Sequence, residues 1–295
     1  MKKRNYSLFL NDKTMKKTIR VLILLFFATS TLFAQNTSEK KSTAAKNVAV
    51  LKKEFVIPNL NSISHKIWVY VPPNYAKTSK KYPVIYMHDA QNLFDNATSY
   101  IGEWEIDESL NSLFKKTGKG FIVVGIENGG AERINEYTPW ENEKYGGGKG
   151  DVYINFIVNT LKPYIDKTYR TKKQQKHTGL IGSSLGGLIS YYGGLKYPTV
   201  FGKIGALSTS FWFSNKVENF TKEYGDTKKV KLFLLVGEKE GYDMVSGTKK
   251  TKKLLLETGF KPSNLTSKIN PEGNHNEAFW KSEFSEVISW LYNIN

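Results

Sequence analysis

Two kinds of apolar run alternate along this chain. Val84-Ile85-Tyr86-Met87, Phe121-Ile122-Val123-Val124 and Leu232-Phe233-Leu234-Leu235-Val236 are short and unbroken, as strands buried on both faces should be. Ile67-Val69-Val71 alternates instead, which predicts an earlier strand ended by Pro72-Pro73-Asn74. Helical spacing appears between these runs. Ile106, Leu110, Leu113 and Phe114 predict one helix, and Ile154, Ile157, Val158, Leu161 and Ile165 predict another over Asp151 to Tyr169. Further strands are expected at Thr178 to Ile181, Ile204 to Leu207 and Thr266 to Ile269, and further helices at Leu185 to Lys196, Thr248 to Leu256 and Ala278 to Leu291. Strands that alternate with helices predict the α/β class, a mostly parallel central sheet covered on both faces. The chain shows no internal repeat and no second core, so residues 48–295 are expected to form one domain.

The start of the chain reads differently. Met15-Lys16-Lys17-Thr18-Ile19-Arg20 is basic, Val21 to Phe27 is apolar, and Ala34-Gln35 fits a cleavage point although Leu32 is larger than usual there. Residues 1–34 are therefore expected to be an N-terminal extension and export signal, too short in its apolar part to remain in a membrane. Residues 35–47 are polar and are expected to be a mobile leader before folded sequence begins near Val48. Met15 is an alternative start.

Composition removes several function classes. The chain has no cysteine, which excludes Cys-based zinc sites and a thiol-linked lipid anchor, and it holds no His-Glu-x-x-His spacing. No metal and no cofactor are expected. The net charge of +16 includes +6 from residues 1–34, and the rest lies in short groups such as Lys80-Lys81, Lys172-Lys173 and Lys252-Lys253. Such groups read as solvated faces, and without a basic stripe interleaved with aromatics no nucleic-acid partner is expected.

The most informative segment is Gly182-Ser183-Ser184-Leu185-Gly186-Gly187, between an apolar strand and a helix. Strand, Gly-x-Ser-x-Gly, helix is the context of a nucleophile elbow, in which a strained turn lifts the serine and the helix amino end faces its reaction centre. Only Ser184 has glycines two residues to either side, so Ser184 rather than Ser183 is the candidate nucleophile. A base and an acid should follow in the order Ser, Asp/Glu, His. Of the four histidines, His65, His88 and His177 lie upstream, which leaves His275 in the loop before the last helix. The loop after Gly237 offers Glu238, Glu240 and Asp243, and spacing does not choose among them. The oxyanion hole is expected to use the backbone amides of Leu185 and Gln91, with His88 and Asp89 bracing the Gln91 loop.

Tyr86-Met87-His88-Asp89-Ala90-Gln91-Asn92-Leu93-Phe94, Arg133 to Trp140, Gly182 to Gly187 and His275-Asn276-Glu277-Ala278-Phe279-Trp280 together resemble the Putative esterase family, over about residues 50 to 292. That family includes esterase D, feruloyl and acetyl-xylan esterases, trilactone siderophore esterases and mycolyltransferases. The resemblance implies an α/β-hydrolase fold with nucleophile Ser184 and base His275. It also implies Glu240 as the acid, three residues after the strand-end glycine Gly237. Two features depart from the pattern. Ala90 stands where the family usually has glycine, which bears on the oxyanion loop, and siderophore esterases of the family can lack an effective third member.

Gly146-Gly147-Gly148-Lys149-Gly150 lacks the Ser/Thr and the preceding strand of a phosphate loop, and reads as a flexible loop beside the active site. Trp140 and Trp212 lie in aromatic segments expected to line the substrate cleft. The function expected is hydrolysis of sugar-linked or small extracellular carboxylic esters through an acyl-enzyme. The alternatives are a siderophore trilactone esterase, an acyltransferase, and a catalytically silent carbohydrate-binding relative.

Overall fold

The computed structural model describes residues 41–60 and 63–294; the predicted signal and residues 35–40 lie outside them. Strands β1 (Val48–Val50), β2 (Ile67–Tyr70), β3 (Val84–His88), β4 (Ile122–Ile126), β5 (Thr178–Ser183), β6 (Lys203–Leu207), β7 (Lys231–Gly237) and β8 (Leu265–Asn270) form one sheet. Their spatial order is β1-β2-β4-β3-β5-β6-β7-β8. Strand β2 is antiparallel to both its neighbours, and every other pair is parallel. This is the mostly parallel α/β-hydrolase sheet expected from the sequence.

Helices cover both faces. They are α1 (Ile106–Thr117), α2 (Arg133–Tyr137), α3 (residues 150–168), α4 (Leu185–Lys196), α5 (Lys216–Tyr224), α6 (Tyr242–Glu257) and α7 (Glu277–Tyr292). Successive side chains of a strand point to opposite faces, and β3 shows the result. Val84 and Tyr86 join a core with Ile154, Ile157 and Leu188, while Ile85 and Met87 join one with Leu110, Phe284 and Val287. Each buried aliphatic side chain contributes about 1.5–3 kcal/mol, which is why the unbroken apolar runs become central strands.

Helix α3 differs from an even α-helix. Its middle, Ile157–Leu161, widens into a π-helical turn just before Lys162–Thr168. Pro163 lacks an amide hydrogen and crowds the carbonyl four residues back, and the wider turn relieves both.

Two loop expectations are corrected. The segment read as a mobile leader is docked from Ser42 onward: Ser42 Oγ and Thr43 N donate to Asp95, Ala45 N donates to Asp107 Oδ2, and Asn47 Nδ2 donates to Val71 O. The glycine run is also not a free loop. Gly146–Gly147 pairs with Glu141–Asn142, Gly148 N donates to Thr138 O, and none of these residues lines the cleft around Ser184.

His88, at the end of β3, locks the elbow helix to the sheet. Ser190 Oγ donates to Gly186 O, so it accepts from His88 Nε2–H, and His88 Nδ1 accepts from the Tyr153 hydroxyl at 2.8 Å. The network fixes a neutral ring. Burial pushes the imidazole down to about 3, with Arg133 adding to the shift and Asp89 opposing it. Above pH 6.5 both folded and unfolded chains hold His88 neutral. Below that the unfolded chain takes a proton that the folded chain refuses, so stability falls as pH drops from 6.5 towards 3. Denaturant titrations between pH 7 and 5 should show a steeper loss in the native chain than in His88→Gln. The difference should approach about 1.4 kcal/mol per pH unit at the acid end, and equal slopes would refute it.

Candidate active site

Ser184 occupies the single residue between β5 and α4, with φ 58° and ψ −124°. A side chain in this region costs on the order of 1–3 kcal/mol and persists only where the surroundings enforce it. Here the backbone is held on both sides: Ser184 N donates to Leu207 O, and Ser184 O accepts from Leu188 N and Ser210 N. The turn is so tight that a Cβ on Gly182 would stand 2.5 Å from Gly186 O, which explains the first glycine of the motif. Ser184 Oγ lies 3.4 Å from Ser210 Oγ.

The acid and base loops meet through two more glycines. A Cβ on Gly237 would come within 2.2 Å of Gly273 O, and Lys239 N donates to that same oxygen. This close approach brings Glu240 Oε2 to 2.8 Å from His275 Nδ1. The other oxygen, Oε1, accepts from Gly237 N at 2.7 Å and from Ser208 Oγ at 2.6 Å, and Trp280 Nε1 donates to Ser208 Oγ. The Glu240 side chain is fully buried while His275 is 39% exposed, so the pair presents its imidazole to the cleft. Nδ1 faces the carboxylate, which leaves Nε2 for proton exchange. Glu238 and Asp243, the two other carboxylates of that loop, are exposed.

Three features of this arrangement were not foreseen from sequence. Ser208 sits just beyond β6 with φ 45°, which turns its hydroxyl between Trp280 and Glu240. Trp280 also packs edge-on against the His275 ring, 5.2 Å between centroids. Asn276 caps α7 by accepting from Phe279 N, which fixes where His275 leaves the helix. A signal existed in the run His275 to Trp280, because Asn before Glu-Ala-Phe-Trp is a helix-start pattern.

The opposite wall comes from the loops after β3 and β4. Asp89, in left-handed conformation, accepts two hydrogen bonds from Arg133 and one from Asn128, and its amide donates to the Tyr137 hydroxyl. Burial alone would raise the Asp89 carboxyl, but the Arg133 charge and the hydrogen bonds outweigh it and hold the group below its ordinary range. Glu136 receives the Gly129 amide and contacts His65 Nε2 at 2.7 Å in a fully buried pair. The motif around Arg133 therefore braces the loop that carries Gln91. Leu185 opens α4 and Gln91 lies in the single turn Ala90–Asn92, positions at which amides have no partner within their own helix.

These parts enclose a cleft of about 640 Å³. Ser184, His275, Asp89, Gln91, Asn128, Arg133 and Glu277 supply its polar lining, and Tyr100, Ile101, Trp104 and Trp280 its apolar lining. Burial, together with the Asp89 charge, raises the Glu277 carboxyl, while His275 and Arg133 oppose the shift. Neither expected tryptophan lines the cleft. Trp140 packs edge-on against Tyr192 and Phe220, and Trp212 borders a separate depression with Tyr242 and Asp243. The aromatic wall is built from Trp104 and Trp280 instead.

Comparison with known proteins places this geometry. The chain is 30% identical to the uncharacterised protein YbbA of Bacillus subtilis over 246 residues, 79% of this chain and 94% of that one. It is 29% identical to an endo-1,4-beta-xylanase/feruloyl esterase of Xylanibacter ruminicola over 235 residues, 76% of this chain and 29% of that longer protein. The solved siderophore hydrolase EstA of Aspergillus nidulans shares the fold, with TM-score 0.67 and 18% identity over 85% of this chain and 96% of its own. Residues 61–291 match the Putative esterase family, and the chain accordingly belongs to that family as an ester-hydrolysing enzyme of α/β-hydrolase fold.

Proposed function

We propose that the chain is a serine esterase that works through an acyl-enzyme, with Ser184 as nucleophile, His275 as base and Glu240 as orienting acid. The observation that carries the reading is a strained serine and a carboxylate-paired imidazole opening onto one cleft. In the first half-reaction Ser184 Oγ bonds to the ester carbonyl carbon as His275 Nε2 takes its proton. The carbonyl oxygen becomes an oxyanion facing the amides of Leu185 and Gln91. Collapse breaks the carbon–oxygen bond of the leaving alcohol, which receives the proton from His275. Water then repeats the sequence on the acyl-serine, releasing the carboxylic acid and restoring Ser184. Throughout, Glu240 holds the Nδ1–H tautomer and stabilises the imidazolium.

We place the substrate among sugar-linked or small esters outside the cytoplasm. Tyr100 and Ile101, exposed at the cleft and backed by the buried Trp104 and Trp280, offer an apolar surface for an aryl or sugar group, which suits this reading. A siderophore trilactone is the second reading, favoured by the Arg133 guanidinium in the cleft and by the likeness in fold to EstA. Initial rates on feruloylated and acetylated sugars, a catechol trilactone and short aryl esters distinguish them. The export reading rests on the apolar segment after Met15. Among the described residues no helix is long and apolar enough to cross a membrane. N-terminal sequencing of the chain from its host should begin near Gln35, and an unprocessed cytosolic chain would remove the extracellular substrates.

The machinery makes separable predictions. Ser184→Ala should lower kcat on a short aryl ester by ~10⁴ or more with the fold intact, and unchanged turnover would overturn the mechanism. Glu240→Gln should cost more kcat than Glu238→Gln or Asp243→Asn. If all three are mild, Ser184 and His275 act as a dyad. Ser208→Ala removes one hydrogen bond from the buried Glu240 carboxylate, worth about 1.5–3 kcal/mol. It should reduce kcat by roughly 10-fold or more with KM little changed, whereas a serine that merely packs there would leave kcat alone.

A further inference from the structure

Away from the cleft floor, three carboxylates converge where α1 begins. One ligand oxygen each from Glu103, Asp107 and Glu108 lies within 4.8 Å of the others. Two of the three, the half-buried Glu103 and the buried Asp107, are only half satisfied. Glu103 Oε2 accepts from Thr43 Oγ1 at 2.9 Å, and Asp107 Oδ2 accepts from Ala45 N at 2.7 Å. That leaves Glu103 Oε1 and Asp107 Oδ1, both shielded from solvent and both without a hydrogen-bond partner. Asp107 as a whole is 0% exposed. Among the described residues no lysine or arginine forms an ion pair with any of the three, although the chain has 43 such residues. The nearby Glu105 is paired with Lys281, so it does not share that cation with the cluster.

A buried carboxylate oxygen without a partner is costly, and this cluster holds two of them. A hard divalent cation removes that cost because its preferred ligands are carboxylate oxygens. We propose that Glu103, Asp107 and Glu108 form a binding site for a calcium-class divalent cation. The separations fit two Ca²⁺–O bonds, which together span about 5 Å. The exposed Glu108 provides the route to solvent, and water completes the coordination. An open, three-carboxylate site of this kind belongs with weaker calcium sites, with Kd on the order of 10⁻⁴–10⁻³ M. Its structural effect follows from its neighbours. The cation joins the docked segment at Thr43 and Ala45 to the start of α1, and Glu103 is the chain neighbour of Trp104, which lines the cleft.

The test uses the whole processed chain, freed of metal with a chelator and exchanged into matched ionic strength. Adding 5 mM CaCl₂ should raise its thermal midpoint by about 5 °C. Isothermal titration should give one Ca²⁺ per chain. Glu108→Gln alters an exposed side chain and leaves the fold unthreatened; it should weaken Ca²⁺ binding by roughly 10-fold. Asp107→Asn should abolish the response, while Glu141→Gln, on the remote hairpin, should respond as the native chain does. The site is refuted if the native chain shows no calcium-specific shift, if MgCl₂ acts equally, or if Glu108→Gln binds Ca²⁺ as tightly as the native chain.

Discussion

The backbone of Ser184 is the constraint around which the rest of the site is built. Its conformation is unfavourable by itself, and it is held because strand β5 is clamped between β3 and β6 while α4 leaves immediately. The sheet supplies Leu207 O for the Ser184 amide, and the chain beyond β6 returns Ser210 N to the Ser184 carbonyl. The strain is thus carried by the most deeply buried part of the molecule. His88 adds a cross-link from β3 to the first turn of α4 through Ser190 and Gly186. A mobile loop could not hold such a turn, whereas a fully packed parallel sheet can.

Much of the site is arranged by residues that do no chemistry. Asp89 is fixed by Arg133, Asn128 and Tyr137, and the short turn that follows it carries Gln91 into the lining of the cleft that holds Ser184. Glu136 performs a similar task for Gly129. On the other side Ser208, itself held by the Trp280 indole N–H, and the Gly237 amide both donate to Glu240 Oε1, so that Oε2 remains for His275. A carboxylate held at both oxygens by three partners resists rotation away from the imidazole. This is why motif-bearing stretches that lie far apart along the chain meet as one assembly: Arg133 and Tyr137 brace Asp89, and Trp280 braces Ser208 beside Glu240.

The fold was legible because parallel strands buried on both faces leave unbroken apolar runs, and β3, β4 and β7 stand where those runs lie. Ser184, His275 and Glu240 were candidates from context, chain order and resemblance, and of these the structure brings His275 and Glu240 into contact. Three kinds of information were not. Helix α5 is short and its buried positions, Val217, Phe220 and the polar Thr221, are too few to stand out from a loop. Trp140 and Trp212 could be recognised as aromatic but not as facing away from Ser184, because side-chain direction depends on tertiary packing. The docking of Ser42 to Asn47 was hidden because its partners, Asp95, Asp107 and Asn111, are polar and about 50 to 65 residues distant.

Charge in the cleft is arranged by the same logic of pairing. The chain carries a net +16, yet Arg133 in the cleft lining is engaged by Asp89, and the imidazole of His275 by Glu240. The surplus lysines lie on other faces, as in the depression lined by Lys80, Lys81, Lys119 and Lys172 at the opposite end of the strands. Long-range attraction of anions therefore acts on the whole molecule, while selection within the cleft falls to shape and short-range contacts. The apolar surface available for that selection is the exposed Tyr100 and Ile101 at the rim, with the buried Trp104 and Trp280 behind the cleft lining. Trp280 belongs to both systems, since its indole N–H anchors Ser208 and its ring abuts His275. A shift of that indole therefore acts on the proposed base His275 and on the hydroxyl that holds Glu240 at once, which links packing of the cleft wall to the alignment of the imidazole.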